Sequence, residues 1–478
     1  MAEPIEESPQ LKVTFTTTEA DDILQLPDTK RQLLVPADLG RHGLSRILNS
    51  ESMLGTSTIP FDFLVNGAFL RTTLQEYLKS NGLSLEMNIT LQYVRSLVPP
   101  TYKDTLEHDD WVSGVDVLSQ TSPAGLWSAD AMISGQDRIL SASYDGLLRI
   151  WNASKDLLAT SPAGSLGGHV ASIKSAKFLS SSQIVSGGMD RVVKVWKYSE
   201  RGDHTSGELK LTLDLYGHKG IIDSVEVDGR SKRILTASSD GAVGLWSTSK
   251  SSAPEADAAL LPGSYSNKRR KLTSSVSTAQ RGPLSLLPIH SAPASAAVFD
   301  PNDRTVAYSV SQDHTVKTID LTTGTVVSTI QLLNPLLSLC AISRGSSPLL
   351  AAGTSARHIT IVDPRESATT TSVLTLRGHA NKVSSVAAAP DNDYSLVSGS
   401  HDGMCKVWDL RDVRPATKDE GVGGSVSEAV ITLQRESMRG RKTPITGDGC
   451  KVFSVVWDKS LGIVSGGEDK RVQINKYE

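Results

Sequence analysis

Over most of the chain the apolar positions fall in short runs, and the runs come in pairs. Ile184-Val185-Ser186-Gly187 is followed by a Met-Asp turn and then by Val192-Val193-Lys194-Val195-Trp196. Residues 234–237 followed by 243–246, and 396–399 followed by 405–408, repeat the plan. Runs this short, rich in Val and Ile and bounded by Gly, Ser and Asp, predict β-hairpins rather than helices. Asp at the turn fits, because its side chain bonds the backbone two residues on.

Residues 11–97 follow a different pattern. Segments 12–17 and 32–35 alternate as strands, and a short helix near 45–49 places Leu44, Ile47 and Leu48 on one face. Phe61-Asp62-Phe63-Leu64-Val65, then Asn66-Gly67, then Ala68-Phe69-Leu70 predicts a tight hairpin. Residues 74–78 read as a helix stopped near Asn81-Gly82, and 89–94 as a last strand. The order strand-strand-helix-strand-strand-helix-strand resembles a ubiquitin-like β-grasp. Residues 1–10 are expected to be a flexible tail, and 98–107 a linker and strand leading into the repeats.

The paired runs belong to a longer repeat. A His is followed after 21 to 23 residues by a turn Asp, and six residues later by Trp. His169, Asp190 and Trp196 form one set; His218, Asp240 and Trp246 a second; His379, Asp402 and Trp408 a third. His290 and Asp313 keep the spacing, with Ile319 in place of Trp. His108 and Trp111 precede Asp145 and Trp151 at a longer gap. Asp469 precedes Asn475, with Asp448 where the His would fall, and 350–363 keeps only the strand pattern. That makes seven units. With 248–283 and 411–447 set aside as flexible insertions, the period is about 44 residues, within the ~40–45 of four-stranded propeller blades. These residues resemble WD repeats. The expected fold is mainly β: a seven-bladed propeller over 108–478, preceded by the small α+β domain. A blade ring must close or leave an open sheet edge. Residues 102–108 parallel 373–379, so the strand at about 101–106 is expected to complete the last blade.

Composition narrows the function. The 478 residues are 38% hydrophobic and 21% charged, with net charge −3, which excludes general disorder and a polycation wrapping nucleic acid. Cys340, Cys405 and Cys450 are scattered, which excludes a disulfide framework or Cys-rich zinc site. The acidic N-terminus has no apolar core of a secretory signal, and no apolar run is long enough to span a membrane. Ser186, His169 and Asp190 have the residue types of a hydrolase triad. The same constellation recurs in unit after unit, however, whereas a catalytic site is needed once. Its expected role is a hydrogen-bond network ending on the buried Trp indole.

A ubiquitin-like domain directly ahead of a WD propeller resembles the Notchless-like (NLE) arrangement, and within that group Leu70-Arg71-Thr72-Thr73-Leu74, Tyr93-Val94-Arg95, Pro99-Pro100 and Asp109-Asp110-Trp111-Val112 carry a finer likeness. The nearest likeness is to the WD-repeat ribosome-biogenesis factors called WDR-twelve in animals and Ytm in fungi. The resemblance covers nearly the whole chain. It implies a non-catalytic scaffold in the nucleus, nucleolus and nucleoplasm. It also implies partners: Pescadillo-type and block-of-proliferation-type proteins, on precursors of the large ribosomal subunit during pre-rRNA processing. The AAA ATPase midasin would grip the N-terminal domain and pull the complex off. A carboxylate completing midasin's Mg²⁺ octahedron falls, by the resemblance, on Glu86, with Asp62 and Glu76 as competitors. The chain would need no cofactor, metal of its own, small-molecule substrate or membrane.

The two insertions lean basic. Lys268-Arg269-Arg270-Lys271 is a candidate nuclear import signal. Arg435, Arg439, Arg441 and Lys442 close the second insertion and suggest at most a weak rRNA contact, without the aromatics that stack bases. The alternative reading, a WD-repeat substrate adaptor of a ubiquitin ligase, draws only on the β-grasp. Nothing resembles an F-box.

Overall fold

The structure is a computed structural model. It describes residues 9–19, 21–56, 59–84, 86–128, 136–202, 204–261, 278–343, 348–365, 374–417, 424–440 and 447–477. The chain divides into two compact units: Met1–Pro99 with Leu410–Ala416, and Pro100–Asp409 with Thr417–Glu478.

The first unit contains β1 (Gln10–Thr16), β2 (Gln32–Pro36), α1 (Arg41–Leu48), β3 (Phe61–Val65), β4 (Ala68–Phe69), α2 (Leu74–Ser80) and β5 (Ile89–Arg95). The sheet order is β2-β1-β5-β3-β4, with β1 and β5 parallel at its centre. This is the β-grasp arrangement. The β3–β4 hairpin turns through Asn66 and Gly67, with φ of 52° and 85°, the left-handed pair that a two-residue turn requires. Alternation along β1 and β5 puts Leu11, Val13, Phe15, Leu91 and Tyr93 inside, against Leu44 and Leu48 of α1 and Leu74 and Leu78 of α2. Phe61 meets Tyr93 edge-on at 5.7 Å, and the Tyr93 hydroxyl donates to the Leu24 carbonyl at 2.5 Å. A buried phenol needs that partner.

The second unit has seven blades among the described residues. Each runs from an inner strand outward through antiparallel neighbours, as Ile173–Ser180, Gln183–Gly188, Val193–Glu200 and Gly207–Leu215 do in blade 2. Blade 7 takes its outer strand from the start of the unit. β6 (Thr101–Glu107) pairs with Arg471–Lys476, Val472 facing Leu106 and Lys476 facing Thr101. The same chain enters the inner strand of blade 1, Val112–Leu118, only five residues later. There the Val115 N–H donates to Ser454 Oγ (3.2 Å) and the Ser119 hydroxyl to Asp458 (2.6 Å), tying blade 1 to blade 7. β6 thus covers the third strand of blade 7 and supplies that blade's outer strand.

The structure corrects the insertions. Segment 411–447 is not a flexible loop throughout: Ser425–Gln434 is the outer strand of blade 6, antiparallel to Met404–Asp409. Its first residues also run parallel to Leu374–Arg377 of blade 5. The blade needs a fourth strand, and the alternation in Ser-Val-Ser-Glu-Ala-Val-Ile supplies one behind a Gly/Ser-rich approach. Segment 248–283 ends in Ala279–Arg281, which runs parallel to the outer strand of blade 2. Residues 285–288 then form the outer strand of blade 3.

Candidate functional site

The repeated His, Asp and Trp residues do meet. In blade 2 His169 Nδ1 lies 2.7 Å from Asp190 and Nε2 2.7 Å from Ser186 Oγ, while the Trp196 indole N–H donates to Ser186 at 2.8 Å. In blade 3 His218 reaches Asp240 at 3.2 Å and Thr236 at 2.8 Å, and Trp246 donates to Thr236 at 2.8 Å. In blade 6 His379 reaches Asp402 at 2.8 Å and Ser398 at 2.7 Å, and Trp408 donates to Ser398 at 2.7 Å. The bonding assigns the tautomer. Nδ1–H donates to the carboxylate, and Nε2 accepts the hydroxyl proton that the indole leaves free. Ser186, Ser398, Thr236 and all three Trp side chains are fully buried. A hydroxyl that no substrate reaches, already accepting from an indole, is a strut and not a nucleophile.

Each Asp also accepts backbone N–H groups, from Val170 and Val192 in blade 2. Burial alone would raise the Asp190 and Asp402 carboxyls. The hydrogen bond from His and the backbone N–H donors hold both below the ordinary value. Blade 4 keeps His290–Asp313 (3.0 Å) and His290–Ser309 (2.8 Å) without an indole.

Two blades depart from the expected pairing. In blade 1, His108 reaches Ser141 at 2.7 Å, but its Nδ1 faces the Leu106 carbonyl at 3.3 Å. Asp145 instead pairs with Arg149 at 2.7 Å. In blade 7, Asp448 does not fill the His position; its carboxylate pairs with Lys451 at 2.7 Å. Arg435 fills that position, from the end of the outer strand of blade 6. Its guanidinium donates to both oxygens of Asp469 (3.0 and 2.5 Å), to Ser465 Oγ (2.8 Å) and to the Arg471 carbonyl (2.7 Å). It is only 1% exposed, so it is not the RNA-facing residue its neighbours suggested. The one sequence signal was Ser465-Gly466-Gly467, which matches Ser186-Gly187-Gly188 and marks the hydroxyl that Arg435 meets.

In the first unit, Glu86 lies in an exposed turn just before β5, its N–H donating to Ser84 Oγ at 3.3 Å. Its carboxylate meets no hydrogen-bonding or charged partner among the described residues. The two competitors are engaged. Asp62 pairs with Arg41 at 2.5 Å. Glu76 closes the capping box of α2, accepting from the Thr73 N–H at 3.3 Å. Residues 268–271, 441 and 442 lie outside the described residues. Arg439 pairs with Glu436 at 3.1 Å.

Comparison with known proteins assigns the frame. Residues 11–78 match the NLE (NUC135) domain, and 101–152, 160–197, 208–247 and 370–409 match the WD domain, G-beta repeat. The chain is 71% identical to "Ribosome biogenesis protein YTM1" of Chaetomium globosum, across 98% of this chain and 96% of the relative. The chain belongs to the YTM1 family. The Neurospora crassa relative of the same name is 70% identical over 100% of this chain and 99% of its own length. The Aspergillus oryzae one is 53% identical over 98% and 96%. The degenerate repeats of this YTM1-family chain, blades 4, 5 and 7, fall outside the matched WD segments, apart from the outer strand of blade 5 and the β6 strand of blade 7. Among the described residues, no group of three or more His, Cys, Asp or Glu is placed to hold a metal ion. No helix there is long and apolar enough to cross a membrane.

Proposed function

We propose that the chain is a non-catalytic scaffold in ribosome biogenesis. It joins Pescadillo-type and block-of-proliferation-type proteins on the precursor of the large ribosomal subunit, in the nucleolus and nucleoplasm, where it serves pre-rRNA processing. Midasin releases it through the β-grasp unit. Membership in the YTM1 family supports the assembly role. The repeated Ser, His and Asp sets, buried and spent on one another, support scaffolding rather than catalysis.

The observation that carries the midasin reading is the contrast among three carboxylates. Glu86 is exposed and unengaged, whereas Asp62 and Glu76 already hold Arg41 and a helix N-terminus. A Mg²⁺ with one open octahedral position takes a carboxylate oxygen without strain only from a side chain free to reach it. Lys268-Arg269-Arg270-Lys271 serves as the import signal. The test is a pull-down of the full chain and Glu86→Ala on the midasin adhesion domain, with and without Mg²⁺. Glu86→Ala is expected to lose Mg²⁺-dependent binding while keeping its melting temperature and its propeller partners. Undiminished binding would remove Glu86 from the mechanism.

A further inference from the structure

The outer edges of the blades are not alike. Blade 2 has its edge covered by Ala279–Arg281, with Leu213 facing Ala279 and Leu215 facing Arg281. Blade 5 is covered by the start of Ser425–Gln434, with Thr375 facing Val426 and Arg377 facing Glu428. The edge of blade 7, β6, carries Lys103, Asp104 and Glu107. Blades 1 and 3 end in four-residue strands, Leu157–Thr160 and Ser285–Pro288, the second stopped by proline. Covering, charge, shortness and proline are the usual guards of a sheet edge.

The outer strand of blade 4, Thr325–Gln331, has none of them. It is seven residues long, and among the described residues it pairs only with Thr315–Asp320. From 325 to 333 the sequence Thr-Val-Val-Ser-Thr-Ile-Gln-Leu-Leu holds no charge. Val327 is 66% exposed and Leu333 85% exposed. A bulge places Val327 outside the pairing register. Such a bulge does not close an edge here: blade 2 has one between Val195 and Trp196, and its outer strand still takes an added strand.

We propose that Thr325–Gln331 receives an added β-strand from a partner protein. The partner segment is extended and uncharged, with β-branched residues at alternate positions. The main chain supplies the attachment, and the neutral, apolar rim selects the side chains. A charged segment would lose hydration beside Val327, and residues 325–333 themselves offer no opposite charge to meet it. The added strands on blades 2 and 5 show that outer strands of this propeller take this mode. A second copy of the chain fits less well, because two edges each twisted by a bulge pair poorly, while an unfolded segment follows the twist. The inference rests on the chain working inside a larger assembly.

Hydrogen exchange of the full chain, free and in particles purified through it, tests this. Amides in 325–331 are expected to exchange at least about tenfold slower in the particle, and Val327→Lys with Thr325→Lys to abolish that protection at an unchanged melting temperature. Three results would overturn it: equal exchange in both states, protection already present in the dilute free chain, or protection that grows with the free chain's concentration. The first denies a partner, the second means the chain covers its own edge, and the third means a second copy does. Particles without ribosomal precursors would sink the preribosomal role separately, and exchange at 325–331 in the recovered assembly would still decide the edge.

Discussion

Blades 6 and 7 solve one problem with different residues. In blade 6 the turn Asp402 and the core Ser398 are joined by His379, from 23 residues upstream, and Trp408 finishes the chain of bonds. In blade 7 Asp469 and Ser465 are joined by Arg435, which arrives from the previous blade. Asn475 stands where the indole would be; the Gln473 amide donates to it at 2.9 Å, and the Gln473 carbonyl accepts from the Glu436 N–H at 2.8 Å. The position therefore demands dry donors aimed at a carboxylate and a hydroxyl, and an imidazole is one way to supply them. A guanidinium supplies more of them, in a fixed planar fork. It also makes blade 7 depend on a true buried ion pair, at the seam where the start and the end of the propeller unit meet.

That contrast orders the expected losses. The largest follows from deleting 469–478, which removes Asp469 and the partner strand of β6 together. The propeller is expected to show no cooperative melting transition. A transition at the parent temperature would mean that the seam is dispensable. Next is Arg435→Ala, which strands Asp469 as a buried charge and should cost about 3–5 kcal/mol in urea unfolding. Adding Asp469→Ala should recover part of that loss. A cost below about 1 kcal/mol would reduce the pair to ornament. His379→Ala removes a hydrogen bond to a charged group and should cost less, about 1.5–3 kcal/mol.

Acid sharpens the comparison most gently. Burial, then the nearby Arg149, holds His108 down at about 4, and burial with Lys382 and Lys451 holds His401 at about 4. Both are neutral in the fold. Below the ordinary value near 6.5 the unfolded chain binds protons that the folded one does not, so their contribution is present above 6.5 and is lost as pH falls towards 4. The carboxyls of Asp190 and Asp402 are depressed, and that of Asp313 to about 2, so their contribution fails only below the ordinary carboxylate range. Melting temperature should fall from pH 7 to 5, and His108→Gln should flatten part of that slope. A flat profile in the parent chain would show that these imidazoles do not sense the fold.

Much of this was legible before any coordinates. The β-grasp order, the seven units and the closing strand all followed from patterns of fixed local offset. Asn66-Gly67 sets a turn, alternation sets a face, and His, Asp and Trp recur at set distances. The candidate site was legible only by analogy. Glu86 came from resemblance, and nothing local distinguished it from Asp62 or Glu76 until Arg41 and Thr73 were seen beside the competitors. Residues 425–434 read as part of an insertion in sequence because Gly and Ser ahead of them resemble a linker, while their strand pairing is with residues some twenty to thirty positions away.

The sequence alone determined which segments are strands and how often the blade recurs, because backbone geometry and side-chain alternation act over a few residues. The tertiary structure decided which donor fills a given blade, which of the three carboxylates is engaged among the described residues, and which outer strands take an added strand. Those depend on burial and on partners far apart in the chain. Arg435 reads as a surface cation in sequence and as the keystone of blade 7 in the fold, since only the fold removes water from around it.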